Sequence, residues 1–83
     1  MEEKRKAMDQ IDQDLVSLLA QRIALGKEIV EQKVKDNLPA HDPGREKGIM
    51  KRMVALGKEQ GLSEPLIKEV YKRIFEETRG KLD

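Results

Sequence analysis

Two charged side chains stand at positions of this sequence where the helical pattern calls for apolar ones. Arg22 lies between Leu18 and Leu25 in one apolar stripe, and Lys33 follows Val30 in a neighbouring stripe. Lys33 follows Arg22 by eleven positions, which make three helical turns to within about 20°, so both face one side of a helix, roughly 16 Å apart. Two inward-facing cations are suited to an anion that carries more than one negative group.

Two further charges follow on the next helical segment. Glu46 continues the apolar stripe four residues before Met50, and Arg45 stands at its edge, four residues before Ile49. Because a buried charge without a partner is costly, these charges either pair with one another in the core or extend to its rim. Their positive surplus favours a different arrangement, a pocket between helices that binds a small polyanionic metabolite.

Arg5 can contribute to the same pocket only from a second chain. It precedes Arg22 by 17 residues, roughly 25 Å along a straight helix, and therefore cannot reach the same small ligand from its own chain. If two long helices pack antiparallel across a two-fold axis, Arg5 can complete the pocket of the other chain. The alternative is a solvated basic cluster formed with Lys4 and Lys6.

The elements that carry these residues are three predicted helices, at about residues 2–35, 43–60 and 64–80. Between the prolines the apolar residues recur every three or four positions, and no strand-like alternation interrupts them. Asp42 and Ser63 are suited to cap the second and third helices, and Gly61 is suited to end the second. The expected fold is all-α, a single domain over residues 1–83.

The first predicted helix is on the order of 50 Å long and carries two adjacent apolar stripes. The stripes are Met8, Ile11, Leu15, Leu18, Leu25 and Ile29, and beside them Val16, Leu19, Ile23, Gly26 and Val30. Two shorter helices of the same chain cannot cover so long a rod. The broad apolar face over about residues 15–30 therefore predicts a second copy packed alongside, as an intertwined homodimer.

Composition narrows the possible chemistry. The 83 residues include no cysteine and one histidine, His41, which excludes a disulfide framework, a thiolate nucleophile and a histidine-rich zinc site. His41 itself is expected to be an exposed loop residue. The 17 basic and 16 acidic residues nearly cancel, so no global field favours nucleic acid or an acidic membrane. We expect a soluble, cytoplasmic protein, since no apolar run approaches the ~20 residues of a spanning helix.

In order and spacing, these residues resemble the all-helical class of chorismate mutases over about residues 4–80. The resemblance rests on Arg5, Ile11-Asp12, the segment from Leu18 to Arg22, Lys33, the segment from Pro39 to Glu46, and Glu76-Glu77-Thr78. It implies an intertwined dimer with three helices per chain. It also implies the rearrangement of chorismate to prephenate, the branch point towards phenylalanine and tyrosine, without cofactor or metal.

The resemblance also implies roles for individual residues. Arg22 and the partner chain's Arg5 would bind the two carboxylates of chorismate, and Arg45 would support that binding. Thr78 stands where the family commonly has serine and would keep a hydroxyl near a carboxylate.

The remaining roles concern the reacting part of the substrate. Lys33 would donate to the ether oxygen, and Glu46, with the backbone near Asp42, would accept from the ring hydroxyl. One position departs from the family: several members have a glutamine that also donates to the ether oxygen, and here that position is Leu82.

Two other functions stay open on the sequence. Isochorismate-pyruvate lyase shares the scaffold, although the Arg45-Glu46 pair and the spacing from Lys33 to Arg45 favour the mutase. A non-enzymatic helical dimer module would instead pair Arg22 and Lys33 with carboxylates of the protein. Nucleic-acid binding ranks third, because the one basic run, residues 4–6, has no interleaved aromatic residues.

Overall fold

The computed structural model describes residues 1–80, which form three helices joined by two short connections. They are α1 (Glu2–Lys35), α2 (Pro43–Glu59) and α3 (Glu64–Arg79), with no strand in that part of the chain. All three predicted helices are confirmed, with their ends within one residue of the expected positions. The molecule is elongated, 54 × 23 × 20 Å, because α1 extends well beyond the other two helices.

The starts of α2 and α3 are capped by the predicted side chains. The Asp42 carboxylate accepts a hydrogen bond from the backbone N–H of Arg45 at 3.0 Å, and the Ser63 hydroxyl accepts one from that of Leu66 at 3.3 Å. Such caps satisfy amides that have no partner inside the helix. The Asp42 cap also places Arg45 and Glu46 in the first turn of α2.

The ends of α1 and α2 share one backbone motif. Gly61 adopts a φ of +82°, and the N–H of Leu62 donates to the carbonyl of Gly57 at 2.8 Å. At the end of α1, Asn37, with a φ of +57°, takes the place of the glycine, and the N–H of Leu38 donates to the carbonyl of Lys33 at 2.8 Å. Both are Schellman ends, in which a residue with left-handed backbone reverses the chain. The motif at Asn37 ends α1 directly after the turn that carries Lys33.

The core of the chain is small and centred on α3, which packs against both α1 and α2. Its buried side chains are Ile67, Ile74 and Phe75. Glycines allow α3 to approach both neighbours closely. A Cβ at Gly57 would lie 2.7 Å from Cγ1 of Ile67, and one at Gly26 would lie 2.4 Å from Cγ2 of Thr78.

α1 has no buried residue within the single chain. Its half-buried residues, which include Gly26 and Val30, belong mainly to the second apolar stripe and to the two predicted inward cations. The first stripe stays open, and Leu15 and Leu18 are each 63% exposed. The chain therefore covers only part of the face that the sequence predicts to be buried.

None of the three helices combines the length and the apolar character that a membrane crossing requires.

Candidate functional site

A cavity of about 310 Å³ opens between the C-terminal half of α1, the first turns of α2 and the last turn of α3. Its apolar walls include Leu25, Ile29, Val30, Ile49 and Phe75. Its polar side chains are Arg22, Lys33, Asp42, Arg45, Glu46, Thr78 and Arg79. The structure thus brings together six of the seven residues that the sequence analysis assigns to the site. The seventh, Arg5, lies outside this cavity.

Arg22 enters the cavity wall from the middle of α1 without a carboxylate partner among residues 1–80. Its guanidinium carbon lies 5.5 Å from the centre of the Tyr71 ring and 5.7 Å from that of Phe75. Cation–π contacts of this kind hold the planar group while leaving its in-plane N–H donors available. The alternative that the sequence left open, a core salt-bridge network of Arg22, Lys33 and Glu46, is absent from residues 1–80.

Within residues 1–80, Lys33 has one ionic partner, and the contact is long. Its Nζ lies 3.9 Å from Oδ2 of Asp42, whose side chain is 51% exposed. The other oxygen of the same carboxylate caps α2 through the amide of Arg45. At this distance the pair is an ionic contact without a hydrogen bond, so the ammonium keeps its donors for a ligand.

Glu46 is the most firmly held polar side chain of the cavity. Its Oε2 accepts a hydrogen bond from the guanidinium of Arg79 in a direct salt bridge. Its Oε1 lies 3.5 Å from Nε2 of His41. Neither partner is assigned to the site from the sequence.

Two spacings in the sequence place these residues near the site, although neither spacing indicates that they pair with Glu46. Arg79 follows Phe75 by four residues and so continues the inward stripe of α3. His41 directly precedes the cap Asp42, which brings it close to the first turn of α2.

Thr78 and Arg45 differ in how they face the cavity. The Thr78 hydroxyl donates to the carbonyl of Ile74 at 2.7 Å, so its proton is already engaged within α3. Arg45 is exposed and forms no salt bridge within residues 1–80. Arg45 therefore offers a free cation at the rim, whereas Thr78 offers lone pairs and a methyl group.

The described lining residues carry four cationic side chains and two carboxylates, a surplus of two positive charges. A half-enclosed cavity with this balance can bind a small dianion and can stabilise negative charge that develops inside it. Among residues 1–80, no three His, Cys, Asp or Glu side chains lie close enough together to hold a metal ion.

Comparison with known proteins assigns the chain to a family. The family model described as chorismate mutase type II matches residues 4–81. The chain belongs to this family. It is 33% identical to a chorismate mutase of Methanocaldococcus jannaschii over 78 residues, which cover 94% of the chain and 79% of that protein.

Other relatives are longer proteins. The chain is 44% identical over 59 residues to the bifunctional chorismate mutase/prephenate dehydratase of Aquifex aeolicus, covering 71% of the chain and 16% of that protein. For the Escherichia coli K12 protein of the same description the identity is 30% over 74 residues, covering 89% of the chain and 19% of that protein. The chain thus spans less than a fifth of these two relatives. No solved structure matches it significantly.

Leu82, the predicted departure from the family, lies outside the described residues. The cavity is therefore defined here by residues up to Arg79.

Proposed function

We propose that this chain converts chorismate to prephenate in the cavity between α1, α2 and α3. The observation that carries the proposal is the charge balance of the cavity, a surplus of two positive charges with Arg22 free of any carboxylate within residues 1–80. Chorismate is a dicarboxylate, so it would supply the two missing negative charges. Membership of the chorismate mutase type II family supports the same substrate.

The reaction requires positioning and electrostatics, which this cavity can supply. In chorismate the ether C–O bond breaks while a C–C bond forms within the same molecule, so no nucleophile, metal or cofactor takes part. The protein must hold a compact, chair-like conformer and stabilise negative charge at the ether oxygen. Cation–π contacts with Tyr71 and Phe75 hold the Arg22 guanidinium at the cavity wall, where it can bind one carboxylate.

Two side chains are proposed to contact the ether oxygen and the ring hydroxyl of the substrate. The Lys33 ammonium donates to the ether oxygen, and its loose 3.9 Å contact with Asp42 leaves it free to do so. Glu46 accepts a hydrogen bond from the ring hydroxyl. Arg45, at the rim, supports binding of a carboxylate, and Thr78 contributes a polar contact nearby.

A second copy of this chain is proposed to complete the site. Along α1 the first apolar stripe is open, with Leu15 and Leu18 63% exposed and Leu25 59% exposed. A surface of this kind is typical of an interface, and two such stripes packed antiparallel would cover each other. In this arrangement Arg5 of the partner subunit would reach the second carboxylate. In its own chain Arg5 is 71% exposed, and its only ionic contact within residues 1–80 is Glu2 at 3.7 Å.

The activity is tested by supplying chorismate and isochorismate separately. We expect prephenate from chorismate and no pyruvate from isochorismate, with the Arg22→Met variant strongly impaired and the surface variant Arg52→Met unchanged. Pyruvate release from isochorismate without prephenate formation would assign the lyase reaction instead. A chain inactive on both substrates would favour the non-enzymatic helical module.

The shared site is tested by mixing two inactive variants, Arg5→Ala and Arg22→Ala. If each cavity uses Arg22 of one subunit and Arg5 of the other, a mixed dimer contains one intact site. Random exchange then restores about a quarter of the wild-type activity. Sedimentation equilibrium should show a dimer at micromolar concentration. A folded monomer there, or no recovery on mixing, would contradict the shared site.

A further inference from the structure

Arg79 forms a cluster with Glu46 and His41 at one wall of the cavity. Its Nη1 donates to Oε2 of Glu46 and lies 3.3 Å from Nε2 of His41. Arg79 lies in the last turn of α3, and Glu46 lies in the first turn of α2. The contact therefore joins two helices at the position where the proposed substrate hydroxyl would bind.

The salt bridge belongs to the cavity and not to the core. Both side chains are 25% exposed, and both line the 310 Å³ cavity. They also line a second cavity, together with Lys47 and Lys72, so the pair and Phe75 form the wall between the two spaces. A pair with this exposure contributes modestly to stability, whereas its place in the wall decides the direction of the Glu46 carboxylate.

Glu46 needs such a support in order to act on a substrate. A glutamate side chain has three rotatable bonds, and an unsupported carboxylate among several cations can turn towards any of them. Arg79 engages Oε2 and thereby holds the side chain in one orientation, with Oε1 as the oxygen that remains for other partners. A carboxylate that is already oriented need not be ordered during the reaction.

We propose that Arg79 is a positioning residue, which orients the Glu46 carboxylate towards the hydroxyl of the substrate. This inference rests on the proposed function, since Glu46 acts on the substrate only if the cavity is the active site. It assigns a role to a residue that neither the sequence pattern nor the resemblance identifies. Arg79 itself need not touch the substrate.

The test is a double-mutant cycle of Arg79→Met and Glu46→Gln in the full chain, with prephenate formation as the readout. We expect Arg79→Met alone to lower kcat about 10- to 100-fold, the effect of a misplaced catalytic group, with KM changed less than kcat. In the Glu46→Gln background the same substitution should cost little more, because the carboxylate that it positions is already gone. Arg79→Lys keeps a cation and should recover part of the loss.

The matched control is Lys68→Met on the outer surface of α3. Lys68 also pairs with a glutamate, Glu64, at 2.9 Å, but outside the cavity. This variant should keep the wild-type kcat, and the melting temperatures of both methionine variants should differ little. Should Arg79→Met fail to fold, Arg79→Lys in the same cycle measures the coupling.

The possible failures are distinguishable. A wild-type chain that makes no prephenate overturns the proposed function, and this inference with it. An active wild type combined with a fully active Arg79→Met variant overturns this inference alone. A loss that is confined to KM and persists in the Glu46→Gln background overturns it as well, since Arg79 would then bind the substrate directly.

Discussion

The two halves of α1 lie in different surroundings although they form one continuous helix. The C-terminal half, residues 21–35, packs on α3, and Arg22, Gly26 and Lys33 are half-buried there beside the cavity. In the N-terminal half, residues 2–20, every residue is exposed, including apolar ones such as Leu15 and Leu18. The C-terminal half is thus partly covered by its own chain, whereas the N-terminal half is an apolar surface that its own chain leaves open.

The difference between the two halves of α1 indicates a separate function for each half. The C-terminal half carries charges that lack full compensation within residues 1–80, which is typical of a ligand site. The N-terminal half carries apolar side chains without a covering element, which is typical of an interface. In the proposed dimer, the second copy would cover the open apolar stripe, and the bound dianion would compensate the surplus positive charge of the cavity.

The largest effect is expected from a charge in the open stripe. In an isolated chain Leu18→Glu would change an exposed side chain and cost little. In the proposed dimer it removes two buried leucines, about 3–6 kcal/mol at 1.5–3 kcal/mol each, and the dimer should dissociate. Sedimentation equilibrium and the concentration dependence of the melting temperature measure this.

Gln13→Glu is the matched control for Leu18→Glu, because it adds the same charge outside both apolar stripes. It should leave the association unchanged. If the Leu18→Glu chain sediments like the wild type, the N-terminal half is not the interface.

The next largest effect is expected at Lys33, in the half that borders the cavity. Lys33→Ala should lower kcat by about 10²–10³-fold, the typical loss for one donor to a developing negative charge. Its stability should change little, because the only ionic partner within residues 1–80 is Asp42 at 3.9 Å.

Lys35→Ala, in the same last turn but outside the cavity, is the control for Lys33→Ala. Steady-state kinetics with thermal melting separates the two roles. A loss of stability that matches the loss of activity would make Lys33 a structural ion-pair residue.

A smaller effect is expected where α1 touches α3 most closely. Gly26→Ala places a methyl group 2.4 Å from Cγ2 of Thr78, and turning Thr78 away breaks its 2.7 Å hydrogen bond to Ile74. Crowding of this kind costs about 1–3 kcal/mol, against about 1 kcal/mol gained in helix propensity. The net change in the free energy of unfolding should be a loss of about 1 kcal/mol, measured by urea denaturation.

In a Thr78→Ser background, Gly26→Ala should no longer lower the free energy of unfolding. Serine lacks Cγ2, and the atoms that remain near the new methyl group lie at ordinary contact distances of 3.4 and 3.5 Å. In this background Gly26→Ala should be neutral or stabilising by up to about 1 kcal/mol. Equal losses in both backgrounds would mean that Thr78 does not limit the approach.

The smallest effect is expected at Glu64. Its carboxylate pairs with lysines of its own chain, so it serves as the comparison for the charges of the cavity that are unpaired within residues 1–80. Hydrogen bonds from Lys68 and then Lys58, followed by their charges, lower the pKa of Glu64. Since folding lowers the pKa of Glu64, the stability that its ionised carboxylate contributes is fully present above the pKa of the unfolded chain. This stability is lost as the pH falls through the pKa of the folded chain. Glu64→Gln should slightly lower the melting temperature at neutral pH, have no effect at low pH, and leave activity unchanged. A loss of activity in the Glu64→Gln variant would show that a charge paired within its own chain also contributes to catalysis, which contradicts this separation of structural charges from ligand-binding charges.

Local chemistry explains why the helices were predictable. Asp42 and Ser63 cap their helices through contacts three residues away, and Gly61 ends α2 through contacts of similar range. The inward position of Arg22 and Lys33 follows from helical period alone. Asn37 plays the same part as Gly61 but was missed, because a non-glycine residue with positive φ leaves a weaker signal in the sequence.

Interactions between near neighbours are enough to predict the three helices, their caps at Asp42 and Ser63, and the inward faces of Arg22, Lys33 and Glu46, because helical hydrogen bonds and helical periodicity act over short stretches of chain. The binding roles expected of Asp42, Arg45 and Thr78 rest on the family resemblance. The pairing of Glu46 with Arg79, 33 residues away, and the close approach of α1 to α3 at Gly26 and Thr78 follow from how the helices pack. Those contacts depend on where the helices cross and which rotamers fit between them, and no local spacing encodes either.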